Sequence, residues 1–175
     1  TNPLSAASGP ELLTIISFEN GIPAGWTKPA AANAGWVSDT GNASHLAKSL
    51  RSGAITHNQK AQIQATLAVY ENSLSVDVKT STENNDAMRL YIDGVGQFAK
   101  AGISDWQTKT LAVSTGTHVL KFDYSKNASV SSGADTVWID RVTYIDSTDT
   151  DGDGVNNIID PDDDNDGLPD VMDPL

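Results

Sequence analysis

Residues 62–79 read QIQATLAVYENSLSVDVK, and this stretch decides the fold class. Apolar residues occupy every second position over 63–69, and the same alternation returns over 74–78. A period of two places side chains alternately on the two faces of a strand, so each run predicts a β-strand with one buried face. The Asn-Ser pair at 72–73 between the runs predicts a strand connection.

The same signature recurs along most of the chain. Alternating runs also fall at 88–92 and 118–124, and apolar-rich runs at 12–18 and 137–144 predict a first and a last strand. The pair Asp93-Gly94 is a strong hairpin signal. No stretch shows a helical period of useful length. About ten short strands separated by Gly, Asn, Ser and Asp clusters predict an all-β protein, an antiparallel β-sandwich of the jelly-roll type.

Charge is distributed unevenly over the 175 residues, whose net charge is −12. Eleven of the 23 acidic residues lie in residues 146–175, where they are all Asp and no Lys or Arg accompanies them. The rest of the chain is nearly neutral and has no basic stripe, which argues against a nucleic-acid partner. No apolar run is long enough to span a bilayer, so we expect no membrane insertion. The absence of cysteine excludes disulfides and thiol chemistry.

Composition divides the chain into three parts. Residues 1–10, TNPLSAASGP, are small and polar and predict a linker. Residues 11–145 form the predicted β body, and residues 146–175 form an Asp-rich tail. The chain begins without methionine and shows no signal peptide, so we expect a monomeric segment of a larger multidomain protein.

The tail contains two copies of one pattern, thirteen residues apart. Positions 1, 3, 5, 7, 9 and 12 are Asp149, Asp151, Asp153, Val155, Asn157 and Asp160 in the first copy, and Asp162, Asp164, Asp166, Leu168, Asp170 and Asp173 in the second. Position 6 is Gly in both copies. Carboxylates at alternate positions of a tight loop converge on one point, glycine permits the turn, and residue 7 offers its carbonyl to a calcium ion. The alternative is a disordered acidic tail, in which glycine would not recur at the same position.

Only Pro161 separates the two loops, which excludes paired EF-hands because those need flanking helices. The segments DTDGDGVNNIID (149–160) and DDDNDGLPDVMD (162–173) resemble thrombospondin type 3 repeats, without the cysteines of the vertebrate repeats. The resemblance implies a calcium-wrapped, rigid spacer or end piece of a secreted protein. Asp160, Asp162 and Asp163 are placed to be shared between adjacent ions.

The body has a pattern of its own. Its segments are FENGIPAGW (18–26), GNASHLAKSLRSG (41–53), LYIDG (90–94), SDWQTKTLAVSTGTHVLKFDYSKNAS (104–129) and GADTVWIDRVTY (133–144). They resemble a bacterial jelly-roll module that accompanies secreted proteases, similar in outline to MAM-like and calcium-stabilised carbohydrate-binding modules. The resemblance implies one structural calcium held by Glu19 and Asp140. Read from the residues alone, these carboxylates need a compensating partner, either a metal or Arg141 with a nearby lysine.

Aromatic residues are the candidates for stacking on sugar rings. They are Trp26, Trp36, Trp106, Trp138 and Tyr91. Trp138 lies between two apolar residues and is expected in the core. Trp36 lies in an irregular Gly- and Ala-rich region and is expected to be the most exposed. Trp36 and Trp106 are therefore the ligand-binding candidates.

Catalytic motifs are absent from the sequence. There is no nucleophile elbow and no glycine-rich phosphate loop. His118 alternates with apolar residues and is expected on a strand face. We therefore expect no enzyme activity.

These features predict a non-catalytic, calcium-binding accessory module of a secreted or surface bacterial protein. Its expected partner is a polysaccharide or cell-surface glycan. Two alternatives remain open: an adhesion or protein-interaction module, and a structural C-terminal module of a secreted protease.

Overall fold

The computed structural model describes residues 13–147, 150–153, 155, 157 and 160–172. The predicted linker at 1–10 and the predicted calcium ligands Asp149 and Asp173 lie outside the described residues.

Ten strands form two antiparallel sheets in the described part of the chain. They are β1 (Leu13–Ile16), β2 (Trp36–Asp39), β3 (Ser49–Ser52), β4 (Lys60–Val69), β5 (Ser75–Ser81), β6 (Ala87–Ile92), β7 (Val95–Ala101), β8 (Ile103–Thr110), β9 (Gly116–Ser125) and β10 (Thr136–Ile145). One sheet has the order β2-β3-β10-β5-β8, with β1 also paired to β10, and the other has the order β4-β9-β6-β7. The predicted antiparallel β-sandwich is confirmed. No helix capable of crossing a membrane occurs among the residues described.

The core lies between the sheets and follows the alternation in the sequence. On β4, residues 61, 63, 65 and 67 turn inward, and β4 pairs with β9 over its full length. Trp26 stacks on Phe122 with 6.1 Å between ring centroids. These contacts bury the inner face of the four-stranded sheet and leave its polar face outside.

The expectation that Trp36 is exposed is wrong. Trp36 is 3% exposed, its ring packs at a tilt on Phe122, and its indole N–H donates to the carbonyl of Ala61 at 3.4 Å. The surrounding small residues permit this burial, because Gly53 donates its N–H to the carbonyl of Gly35 at 2.8 Å and a Cβ on Gly53 would lie 2.4 Å from that oxygen. The Gly- and Ala-rich segment therefore marks close packing, not an open loop.

The hairpin predicted at Asp93-Gly94 is confirmed. Both residues have positive φ, 50° and 80°, and they join β6 to β7. Asp and Gly tolerate this left-handed conformation, which matches the twist of the flanking strands.

The residues that directly follow β10 are hydrogen-bonded to the four-stranded sheet. Beyond β10, Asp146 forms a bridge with Val69, and the N–H of Ser147 donates to the carbonyl of Ala68 at 3.4 Å. The start of the tail is thus held against the end of β4.

Candidate functional site

Two clusters of carboxylates form in the tail. Asp151, Asp153 and Asp160 each place one oxygen within 4.8 Å of the others. Asp162, Asp164 and Asp166 do the same. Such all-oxygen ligand sets suit a hard cation of the size of calcium. Each cluster comes from one of the two sequence copies, so spacing alone anticipates which residues meet.

Each of the two loops has the same internal hydrogen bond, at positions thirteen residues apart in the chain. Thr150 N–H donates to Asn157 Oδ1 at 2.8 Å, and Asp163 N–H donates to Asp170 Oδ1 at 2.8 Å. Positions 2 and 9 therefore close each loop in the same way. Asp170, a predicted ligand, is a member of neither described cluster, and its Oδ1 accepts the hydrogen bond that closes the second loop.

Position 5 of each loop organises the backbone as well. Asp153 Oδ1 accepts from the N–H of Val155 at 2.7 Å, and Asp166 Oδ1 accepts from that of Leu168 at 2.8 Å.

A left-handed residue at position 4 is the feature of these loops that motif reading missed. Gly152 has φ 77° and Asn165 has φ 55°. Gly and Asn are the residues that adopt this conformation at least cost, so their occurrence at matching positions was a usable signal.

Negative charge is concentrated where the loops approach each other. Burial raises the pKa of Asp163, and the carboxylates of Asp170, Asp160 and Asp151 raise it further. Asp163 therefore lies within electrostatic reach of the first loop. Buried oxygens of Asp151, Asp162 and Asp163 have no hydrogen-bond partner among the residues that the structure describes.

Glu19 and Asp140 hold one loop of the body, residues 44–48. Glu19 Oε1 accepts from the N–H groups of Ala47 and Lys48 at 2.9 and 2.7 Å. Asp140, which is completely buried, accepts from the N–H groups of Ser44 and His45. The sequence-predicted residues therefore converge on the same loop from opposite ends of the chain.

The compensation expected from the side chain of Arg141 does not reach Asp140. Arg141 gives Asp140 only its backbone N–H, at 2.7 Å, and its guanidinium pairs with Asp77 at 3.0 Å. Burial alone would raise the pKa of Asp77, but hydrogen bonds from Thr108, Ser44 and Arg141 outweigh it and lower the pKa. Calcium at Glu19 and Asp140 stays a prediction.

A Ser-His-Asp grouping lies near the β6–β7 turn. Asp93 Oδ2 is 2.6 Å from His118 Nδ1, and His118 Nε2 lies 3.4 Å from Ser114 Oγ and 3.0 Å from the carbonyl oxygen of Ser114. The hydrogen bond to Asp93 raises the pKa of His118. The carboxylate of Asp93 favours the charged imidazolium over the neutral ring, which is the cause of this raised pKa.

Of the remaining aromatic residues, three lie outside the core between the sheets. Trp138 is buried on the outer side of β10, where its indole N–H donates to Asp39 at 2.6 Å and Lys79 lies 5.7 Å from its ring centre. Trp106 is half-buried on the edge strand β8. Tyr91 is half-buried on β6 with the ammonium of Lys121 4.5 Å from its ring centre.

The outward side of the four-stranded sheet carries a polar surface that sequence reasoning missed. Two rows cross it from β4 to β7: Gln62, Asp123, Arg89 and Ala99, and then Gln64, Lys121, Tyr91 and Gly96. We call these eight residues the four-stranded face. A hollow of about 300 Å³ lies at its β7 side. The signal available in the sequence was the set of polar residues that alternate with the core residues of β4, β6 and β9.

A second hollow, of about 460 Å³, lies at one end of the sandwich. Its lining is formed by residues 82–85, 102–103, 130 and 132. None of the described residues that line it is aromatic.

Comparison with solved structures places the fold among known β-sandwich modules. The K2 cleaved adhesin domain of Lys-gingipain superposes with a TM-score of 0.57 at 14% identity, over 75% of this chain and 98% of that chain. A carbohydrate-binding module of the β-sandwich superfamily gives a TM-score of 0.54 at 16% identity, over 72% of this chain and 59% of that chain. The secreted serine protease VesC from Vibrio cholerae gives 0.52 at 13% identity, over 64% of this chain and 23% of the protease.

Neither a scan against protein-family models nor a search of curated proteins finds a match. The similarity is therefore one of fold. The MAM-like and thrombospondin type 3 resemblances stay predictions.

Proposed function

We propose that this chain is a non-catalytic accessory module of a secreted or surface bacterial protein, which binds a polysaccharide or cell-surface glycan and is joined to its neighbours by a calcium-stiffened tail. The observation that carries the proposal is the matched geometry of the two acidic loops. Each gathers three carboxylates, and each is closed by the same hydrogen bond between positions 2 and 9.

Calcium provides the positive charge that lets these carboxylates stay together. In the first loop Asp151, Asp153 and Asp160 are the ligands, and in the second Asp162, Asp164 and Asp166. Without the cation, repulsion among them favours an extended tail. Extracellular calcium modules bind at about 10⁻⁴–10⁻³ M, so millimolar external calcium fills such sites.

Glycan binding is supported by the β body. The fold is shared with a carbohydrate-binding module of known structure. The four-stranded face combines amides, charged groups and an aromatic ring, which are the groups that orient a sugar.

The second candidate is an adhesion module. Similarity to the K2 adhesin domain extends over 98% of that domain, so the whole of that domain has a counterpart here. This candidate requires a protein partner. A structural role beside a protease domain is the third candidate, supported by the fold shared with part of VesC.

Retention on a panel of insoluble polysaccharides, in calcium and in EDTA, tests the proposal. We expect retention on at least one polymer with calcium present, and calorimetry of the same protein should show calcium uptake. Uptake of calcium without retention on any polymer would favour the adhesion or structural candidates. Absence of calcium uptake would overturn the assignment of the tail.

A further inference from the structure

The four-stranded face differs from the rest of the molecule in its charge. Arg89 and Lys121 lie in adjacent rows, and Lys60 lies two residues before Gln62 on β4. Asp123 is the one carboxylate in these rows. The net charge of −12 lies mainly in the Asp-rich tail, whereas cations outnumber carboxylates on this part of the nearly neutral β body.

The cations of this face are without carboxylate partners among the described residues. The other two arginines are paired, Arg51 with Asp39 at 3.8 Å and Arg141 with Asp77 at 3.0 Å. Arg89 forms no ion pair with any described residue and donates only Nη1, to the hydroxyl of Ser125. Its remaining N–H groups are available to a bidentate acceptor such as a carboxylate.

An aromatic ring and an open hollow lie beside these cations. Tyr91 lies two residues beyond Arg89 on the same face of β6 and borders the hollow of about 300 Å³ together with Gly96. A Cβ on Gly96 would lie 3.7 Å from the Tyr91 ring, so glycine keeps that side of the ring open. The hollow therefore presents an aromatic edge next to a guanidinium.

Hydrogen-bonding groups for hydroxyls complete the surface. Gln62 and Asp123 are buried; Gln62 donates to one carboxylate oxygen of Asp123, and the other oxygen has no hydrogen-bond partner among the described residues. Gln64 is half-buried in the next row. Its amide both donates and accepts, as sugar hydroxyls do.

We propose that the four-stranded face binds a glycan whose sugars carry carboxylates, that is, a uronic acid polymer. Arg89 and Lys121 meet the sugar carboxylates, Tyr91 contacts the apolar side of a ring, and Gln64 meets hydroxyls. This inference rests on the proposed glycan-binding function and names its ligand class and site. A neutral glycan would leave Arg89 and Lys121 unpaired, whereas a uronate pairs them.

Calorimetry with soluble oligogalacturonates, run beside their methyl esters and neutral oligosaccharides, tests the inference. Short oligomers avoid calcium gels, and each titration is made in calcium and in EDTA. We expect binding to the free acids, weakened at least about tenfold by methyl esterification and by rising salt. Arg89→Gln and Lys121→Gln should each weaken binding about tenfold or more, because each removes a charged contact.

Arg51→Gln is the matched control, since it removes the same charge from the opposite sheet. We expect it to leave affinity within about twofold. Near-ultraviolet circular dichroism verifies that all variants are folded. Polyglutamate of similar charge provides the test of sugar recognition and should bind more weakly than the uronate.

The outcomes separate the two proposals. Binding of neutral glycans without preference for the acid, or uronate binding that is unchanged in Arg89→Gln, overturns this inference and leaves the proposed function standing. Equal binding of polyglutamate also overturns it. Absence of binding to every saccharide overturns both.

Discussion

The backbone N–H of Ser44 donates to Asp140 Oδ2 at 2.8 Å, across 96 residues of chain. His45 N–H donates to the same oxygen at 2.9 Å, and the neighbouring N–H of Arg141 satisfies Oδ1 at 2.7 Å. A fully buried carboxylate is costly unless it is hydrogen-bonded, and here three backbone donors supply the bonds. Asp140 therefore fixes the 44–48 loop against the last strand.

Asp140→Ala is expected to destabilise the protein by about 1–3 kcal/mol, because it leaves two loop N–H groups without their acceptor. If Asp140 also binds calcium, the loss in melting temperature will be larger in calcium than in EDTA. Asp105→Ala, at an exposed carboxylate of β8, is the control. An unchanged melting temperature in both buffers would contradict the loop-anchoring role.

Asp153→Ala and Asp166→Ala are each expected to remove one loop's calcium site, since each takes one carboxylate from a three-carboxylate cluster. Calorimetric stoichiometry should fall in each variant and fall further in the double variant. Melting of the β body should stay nearly constant, because these residues are exposed in the tail. Unchanged stoichiometry in the double variant would show that the clusters do not bind calcium.

The Asp93–His118 pair predicts a pH dependence of stability. The pKa of His118 is raised by Asp93, so its contribution is complete below the unfolded value of about 6.5 and is lost as pH rises through the folded pKa. The pKa of Asp93 is lowered by His118, so its contribution is lost as pH falls through that folded pKa. Because Asp93 is half exposed, the pair contributes less than about 1 kcal/mol.

Thermal melts of wild type and His118→Gln measure this contribution. The difference in melting temperature between wild type and His118→Gln should be greatest between about pH 4 and 6.5 and should become smaller above that range. His57→Gln, at an exposed turn, is the control. A difference that grows above pH 7 would have the wrong sign and would refute the assignment.

Strands that pack one face on the core could be identified from sequence, and strands that are exposed at most positions could not. β4 and β6 alternate cleanly because one face of each packs on the core. β7 and β8 are edge strands that are exposed at most positions, so no apolar period marks them. The burial of Trp36 could not be predicted from its neighbours in the sequence either, because it depends on Phe122, which is 86 residues away.

The candidate sites divide along the same line. The acidic clusters are local, so ligand spacing predicted which carboxylates meet. The four-stranded face joins residues that are remote in sequence, such as Gln62 and Asp123, through strand register. The spacing of residues along the chain does not predict that register, because the register depends on how β9 pairs with β4 and β6.

Among substitutions of charged residues, we expect replacement of Lys126 to cause the largest loss of stability. Its ammonium lies 3.6 Å from Asp86, which is completely buried, and hydrogen-bonds Asp135 and, at 2.7 Å, Ser131. Burial alone would raise the pKa of Asp135, but the hydrogen bonds from Lys126 and Tyr124 lower it. Removing one partner from a buried ion pair typically costs about 3–5 kcal/mol.

We therefore expect Lys126→Met to lower the melting temperature by about 6–20 °C at pH 7. The difference from wild type should shrink as pH falls, because the stability that Asp135 contributes with its lowered pKa is lost as it protonates. Lys109→Met is the control, since Lys109 lies 5.0 Å over the ring of Phe98 and forms no ion pair with a described residue. Equal melting of the two variants would show that Lys126 is not the charge that holds these carboxylates in the fold.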